Sequence, residues 1–230
     1  MAALPARQRF CCANFLMERH TIFDWSRKAR TGIPEAVFAE SKSDAQLRDI
    51  IQAHQERKVP LLVTRLSGDQ IEALSDLPLN VDPLARTATL LKSAPPPQAP
   101  QIMVVTAGTS DLAVAREAAN SAEFMGLRVR IIADVGVAGL WRLEKHLPDL
   151  ARARLIVAVA GMEGALFPVV AGLVAAPVIA VPTSVGYGVA KDGSVALGSA
   201  LGTCAPGVVC VNIDNGFGAA AAAAKILLAP

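Results

Sequence analysis

The sequence predicts an α/β protein in which a parallel sheet with helices on both faces follows a small α/β module. Three observations carry this expectation. Strand-like and helix-like stretches alternate strictly from Gln101 onward. Apart from "RVRIIADVG", those strand-like stretches have apolar centres, as strands buried on both faces must have. A proline-rich segment, residues 92–101, separates this region from a more charged one before it.

The elements follow in chain order. "AVFAE" (36–40) reads as a strand. "DAQLRDIIQAHQER" (44–57) places Leu47, Ile50 and Ile51 on one helical face, with Ser43 or Asp44 available as cap. "VPLLVTRL" (59–66) is a strand and "SGDQIEALSDL" (67–77) a second helix. Residues 21–91 thus form a module that is marginal alone, because a unit of about 70 residues buries little surface. "KSAPPPQAPQ" (92–101) is a semi-rigid linker of extended polyproline geometry. Residues 102–230 form the larger domain: strands at "IMVVTA", "RVRIIADVG", "RLIVAVAG", "PVIAVPT" and "GVVCVNID", helices at "SDLAVAREAANSAEFMG", "VAGLWRLEKHLPDL" and "MEGALFPVVAGLVA", and an alanine-rich terminal helix. Gly126 stops the first of these helices.

Composition excludes several partners. A net charge of +2 and a single tyrosine supply neither a basic stripe nor stacking platforms, so nucleic acid is not expected. Hydrophobic residues make up 53% of the chain, yet no uninterrupted apolar run approaches the roughly 20 residues that cross a bilayer. The apolarity points instead to a buried sheet and to subunit interfaces, with no membrane partner. The four cysteines, Cys11, Cys12, Cys204 and Cys210, form no CxxC and no disulfide framework, which fits a reducing cytoplasm. Residues 1–20 lack the apolar core and cleavage site of a signal peptide and are expected to be poorly ordered.

Ligands of parallel sheets bind at the carboxyl ends of the strands. After the first strand, Gly108, Thr109, Ser110 and Asp111 precede a helix. They suit a phosphate at the helix N-terminus, or Ser110 or Asp111 serves as a plain N-cap. Asp134 follows the second strand, placed to accept from ribose hydroxyls. Gly161, Met162, Glu163 and Gly164 follow the third, and "VPTSVGYGVAKDGSVAL" follows the fourth, with Lys191 and Asp192 as its charged pair. A connecting helix leads to the loop of Cys204, a competent nucleophile near neutral pH in its thiolate form. "DNGFG" follows the fifth strand, so that five loops converge on one edge. Cys210 lies within a strand and is read as core.

These segments match known families. "TAGTSDLAVAREAA", "AVAGMEGALFPVVAGLVAAPVIAVPTS" and "NIDNGFGAA" resemble the PurE domain of aminoimidazole ribonucleotide carboxylases and mutases. Where those enzymes carry a histidine in an "AHLPG" motif this chain reads "EGALFPVV", and its histidines are His20, His54 and His146. A resemblance spanning nearly the whole chain, adding "RTGIPEAVFAESKS", "VTRLS", "DVGVAGLWRL", "VIAVPTSVGYG" and "CAPGV", is to the LarB-type nickel pincer cofactor biosynthesis proteins, the pyridinium-3,5-biscarboxylic acid mononucleotide synthases. It implies a PurE-like (flavodoxin/Rossmann-like) domain and a homo-octamer.

It also implies an activity: carboxylation of nicotinic acid adenine dinucleotide at pyridinium C5 with CO2 or bicarbonate, and hydrolysis of the phosphoanhydride to release AMP. The product is consumed in making a nickel cofactor such as that of lactate racemase. The family's essential cysteine matches Cys204 and its essential glutamate Glu163. Glu163 is the candidate for removing the C5 proton or for assisting the hydrolysis. Gly108, Thr109 and Ser110 would hold a phosphate, with Asp111 beside them. Thr183, Ser184, Gly186, Tyr187 and Gly188 would line the mononucleotide or the nicotinate carboxylate, together with Asp134, Gly161, Met162 and Gly164. Hydrolysis calls for a divalent cation, expected to be Mg2+, with Asp192, Asp111 and Asp214 as candidate ligands and Asp192 favoured. No organic cofactor is expected. Arg27, Lys28 and Arg30 read as a solvated face, with the adenylate phosphate as the other reading. Two alternatives stand beside this: a PurE-type aminoimidazole ribonucleotide carboxylase, and a dinucleotide-binding protein without catalysis.

Overall fold

The computed structural model describes residues 22–228, so the expectations for residues 1–20, and for Cys11, Cys12 and His20, lie outside the described residues. The first sheet has the order β1-β2-β4-β3, from β1 (Val37–Phe38), β2 (Leu61–Thr64), β3 (Asn80–Asp82) and β4 (Thr87–Leu90). Strands β1 and β2 are parallel, the other pairs antiparallel. With them come α1 (Arg27–Thr31), α2 (Asp44–Arg57) and α3 (Gly68–Ala73). Both longer helices start in capping boxes, Ser43 with Gln46 and Ser67 with Gln70, where side chain and backbone satisfy each other's open groups. Leu47, Ile50 and Ile51 pack on Leu61, Val63, Leu66 and Leu74 as the periodicity predicts.

The hairpin β3–β4 carries no strong strand pattern in the sequence. Its signal is the turn, where Asp82 Oδ1 accepts from Ala85 N (3.1 Å) and Arg86 is left-handed at φ 55°. Strand β4 is buried along its whole length because it sits between β2 and β3.

The second sheet is wholly parallel, with order β6-β5-β7-β8-β9, from β5 (Gln101–Thr106), β6 (Arg128–Ile132), β7 (Ile156–Ala160), β8 (Val178–Pro182) and β9 (Val208–Cys210). Alternate strand residues serve opposite faces. Ile102, Val104, Val157, Val159, Ile179 and Val181 meet α4 (Leu112–Phe124) and α9 (Gly216–Leu228). Met103, Val105, Ile156, Ala158, Val178 and Ala180 meet α5 (Leu140–Glu144), α6 (Leu147–Leu150), α7 (Leu166–Leu173) and α8 (Ser194–Gly202). The expected fold class is therefore the observed one.

Three boundaries differ from expectation. Residues 137–150 form a 3-10 turn and two short helices rather than one helix; Pro148, in the first turn of α6, lacks the N–H that a continuous helix would need. Helix α7 starts four residues late because Met162 (φ 52°) and Gly164 (φ 65°) are left-handed. Strand β9 ends at Cys210, and the chain turns at left-handed Asp214 (φ 53°) into α9. The proline-rich segment is pinned to its surroundings: Arg128 donates from its backbone to Pro100 O (3.0 Å) and from its side chain to Pro97 O (2.9 Å), and Lys92 pairs with Glu123 (2.6 Å). No helix among the described residues is long and apolar enough to cross a membrane.

Helices α4 and α9 pack through alanines, and Gly216 lies against backbone. A Cβ there would fall 2.6 Å from Val114 O and 2.8 Å from Ala118 N. Gly216→Ala is expected to push α9 outward and to lose about 1–3 kcal/mol in urea unfolding; unchanged stability would show that the two helices separate freely.

Candidate functional site

Asp111 organises the carboxyl edge of the second sheet. Its Oδ2 accepts from Gly108 N (2.9 Å), after β5, and its Oδ1 from Thr183 Oγ1 (2.7 Å), after β8. The Gly161 amide, after β7, also favours its charged form. One carboxylate thus ties the end of β5 to that of β8, across β7. Burial pushes this carboxyl above its ordinary range; the donors from Thr183, Gly108 and Gly161 pull it down, and the charge of Asp214 adds to the rise. Asp111 and Thr183, expected to face substrate, are therefore turned inward: they are 3% and 0% exposed and hold the loops rather than line them.

The loops stack backbone on backbone above this knot. A Cβ on Gly161 would lie 2.0 Å from Val185 O, and one on Gly186 2.3 Å from Ala190 O, so only glycine permits these approaches. Met162 N donates to Val185 O (2.8 Å). Thr109, Ser110, Glu163, Ser184, Tyr187 and Gly188 remain at the surface. Tyr187 and its neighbour Val189 are 77% and 91% exposed, unusual for large side chains in an ordered loop. Asp134 is left-handed (φ 59°), donates from its backbone to Thr106 Oγ1 (3.1 Å) and pairs with Arg142 (2.6 Å). Arg142 and Arg65 are cations of this edge that sequence reasoning did not single out. Arg142 lies eight residues beyond Asp134, and Arg65 comes from the first module, so only the fold brings them in.

Gly108, Thr109, Ser110, Asp134, Gly161, Met162, Glu163, Gly164, Ser184, Gly186, Tyr187 and Gly188 thus belong to one edge. Cys204 does not. It is exposed in the loop between α8 and β9, and Gly207 O, three residues on, accepts from Val178 N at the amino end of β8. This overturns its grouping with the carboxyl-end loops, because a helix returning from the carboxyl edge of a parallel sheet delivers the chain to the amino edge. The five residues of β8 span about 16 Å between the two edges. Cys210 is half-buried in β9, and burial raises its thiol above the ordinary value. Among the described residues no three His, Cys, Asp or Glu side chains gather as a metal centre. Asp192 is exposed on a left-handed turn (φ 63°), and Asp214 Oδ1 accepts from Ser184 N (2.8 Å). Helix α1 is exposed, with Arg30 paired to Asp24.

A doubly wound α/β domain with glycine-rich, hydroxyl-bearing and acidic loops gathered at its carboxyl edge defines the parallel-sheet class, whose members bind their ligands at that edge. The profile described as LarB/PurE-like N-terminal domain matches residues 17–92, and that of AIR carboxylase matches residues 101–229. The chain belongs to the AIR carboxylase family in its LarB-type organisation, and it is a carboxylase-family protein. The uncharacterized protein MJ0165 of Methanocaldococcus jannaschii is 36% identical over 215 residues, spanning 88% of this chain and 82% of that one. Among solved structures, a serine-to-aspartate variant of PurE2 from Treponema denticola superposes with a TM-score of 0.48 at 21% identity, covering 58% of this chain and 83% of that one. Treponema denticola PurE gives 0.47 at 22% identity, covering 55% and 79%.

Replacing Asp111 tests the knot. Asp111→Asn turns one acceptor oxygen into a donor facing a donor, and about 1–3 kcal/mol of stability is expected to be lost. Because the folded carboxyl is raised above 3.8, the folded state takes up its proton first, and the stability it contributes is lost as pH rises through the folded value. The gap between wild type and Asp111→Asn should widen as the pH is lowered through the folded value; a gap that narrows would count against a raised carboxyl.

Proposed function

We propose that the protein carboxylates the pyridinium C5 of nicotinic acid adenine dinucleotide and hydrolyses its phosphoanhydride, yielding AMP and a pyridinium-3,5-biscarboxylate mononucleotide. The observation that carries this reading is the presence of both an exposed loop thiol, Cys204, and an exposed glutamate, Glu163, in a carboxylase-family chain that has no histidine in the "EGALFPVV" segment. The missing histidine disfavours aminoimidazole ribonucleotide as substrate.

The chemistry requires reversing the ring's polarity, since a pyridinium carbon is electrophilic and so is CO2. The Cys204 thiolate adds at C4 and makes a dihydropyridine with enamine character at C5. C5 then attacks CO2, forming the carbon–carbon bond and leaving an iminium at N1–C6. Removal of the C5 proton regenerates the enamine, and expulsion of the thiolate from C4 restores the aromatic pyridinium with no net redox change. Glu163 is the base for that proton. A divalent cation, expected to be Mg2+, would neutralise the phosphoanhydride for hydrolysis. Magnesium takes few protein ligands and favours phosphates and water, which suits an edge where Asp192 alone offers an uncommitted carboxylate on the fourth loop. Exposed Thr109 and Ser110 at the start of α4 would hold a phosphate, and Tyr187 would cover the ring.

Cys204 and Glu163 of one chain stand at opposite edges of the sheet, so a shared substrate requires two copies, with the thiol of one facing the glutamate of the next. The surfaces are suited to this. Near Cys204, Leu201 is 71% and Val209 52% exposed, and β9 is an open edge strand; at the other edge stand Tyr187 and Val189. We read the assembly as a homo-octamer.

Mass spectrometry of a reaction holding the dinucleotide, 13C-bicarbonate and magnesium is expected to show AMP and a mononucleotide with one labelled carboxylate. Cys204→Ala should abolish the labelled product. Co-assembling Cys204→Ala with Glu163→Gln should restore activity at about one quarter of sites, since either variant supplies what the other lacks. Binding of the dinucleotide without turnover by wild type would favour a non-catalytic protein, and the absence of complementation would place the two residues in one chain's site.

A further inference from the structure

We propose that Arg65, from the N-terminal module, is a positioning residue of the carboxyl-edge site and sets the geometry of the Ser184–Gly188 loop. The ligand in its test rests on the function proposed above; the geometry stands without it. Arg65 follows β2 in a left-handed conformation (φ 60°), uncommon for a residue with a side chain and held here by its neighbours. Arg86 donates to Leu66 O (2.6 Å) and Arg65 O (3.3 Å), and Leu66 N donates to Arg86 O (2.9 Å). The turn aims the Arg65 side chain out of its own module and into the larger domain.

Two groups receive it there. Glu117, a buried carboxylate of α4, lies 3.5 Å away, and the Asp214 carbonyl accepts a hydrogen bond from the guanidinium. The other oxygen of Glu117 accepts from Gly216 N (3.0 Å), at the start of α9. Asp214 donates from its backbone to Pro182 O (2.8 Å), at the end of β8, and its carboxylate accepts from Ser184 N (2.8 Å). An unbroken chain of contacts therefore runs from Arg65 through the Asp214 backbone to the first surface residue of the loop. A buried carboxylate left without its cation is costly, and an orphaned carbonyl frees the left-handed turn at Asp214 to rotate. The planar guanidinium reaches both acceptors at once, which a lysine ammonium cannot do from one position.

Docking of the module and shaping of the loop are separable. Arg116 pairs with Asp82 (2.8 Å) and Asn120 donates to Asp82 (3.0 Å) and Thr87 (2.9 Å), contacts that involve neither Asp214 nor Ser184.

The test is amide hydrogen exchange on the full chain, with Arg65→Lys, and Arg116→Ala as the docking control, beside calorimetric titration with nicotinic acid adenine dinucleotide. Arg65→Lys is expected to speed exchange at Ser184 and weaken dinucleotide binding by about tenfold each, while α2 and α4 stay protected. Arg116→Ala should change neither. Arg65→Gln, which keeps a donor for the carbonyl but not the charge, is the second variant should the lysine form not fold, with the same direction expected. Wild-type exchange at Ser184 in the Arg65 variant, or equal loosening in Arg116→Ala, overturns the proposal. If wild type does not bind the dinucleotide, the functional reading fails, and the exchange at Ser184 still decides the role of Arg65.

Discussion

The carboxyl edge depends on one desolvated carboxylate. Strands of a parallel sheet end side by side, but each hands over to a loop with its own direction, and nothing in the ladder itself fixes those loops relative to one another. Asp111 supplies the missing constraint, with its two oxygens taking donors from Gly108 and Thr183, after two different strands on either side of β7. Burying the charge is unfavourable, and its raised carboxyl shows that the donors only partly offset the loss of water. What results is a platform on which Glu163, Ser110 and Ser184 stand in set positions at the surface.

A second constraint follows from handedness and length. Helix α8 carries the chain from the fourth carboxyl-end loop back to the start of β9, about 13 Å for its nine residues, so Cys204 emerges beside the amino ends of the strands. No local adjustment moves it across the sheet. In the proposed chemistry this turns a defect of the single chain into a reason for assembly: the exposed apolar side chains beside Cys204 and those on the Tyr187 loop are the surfaces that association would cover.

The two modules meet through Ile33, which joins the apolar core between the second sheet and the alanines of α4 and α9, and through polar contacts that are few and specific. Arg65, with Glu117 and the Asp214 carbonyl, ties the first sheet to the start of α9, while Arg116, Asn120 and Lys92 fasten α4 to the hairpin and the proline-rich segment. The proline-rich stretch has the composition of a spacer, yet Arg128 holds two of its carbonyls, so it serves as a strap along the edge of β5 and β6.

Local signals made much of this legible. Apolar runs marked β5 and β7 to β9, the alternation with helices marked the edge strand β6 with its exposed Arg128 and Arg130, the i, i+3, i+4 pattern of Leu47, Ile50 and Ile51 marked α2, and glycines with hydroxyls marked the loops where Ser110, Glu163 and Ser184 surface. The β3–β4 hairpin escaped because its short strands are buried by their neighbours rather than by their own pattern. Asp111 and Thr183 sit among loop residues, and their inward orientation depends on partners 72 positions apart. Arg65 was hidden for the same reason, its acceptor being 149 positions away. The sequence by itself determined most of the elements, the family and the residue types available for chemistry, because hydrophobic periodicity and turn preferences act over a few residues. Only the tertiary structure decided which carboxylate is buried, which arginine crosses between modules and which edge Cys204 occupies, because hydrogen bonding, charge and strand direction act across space.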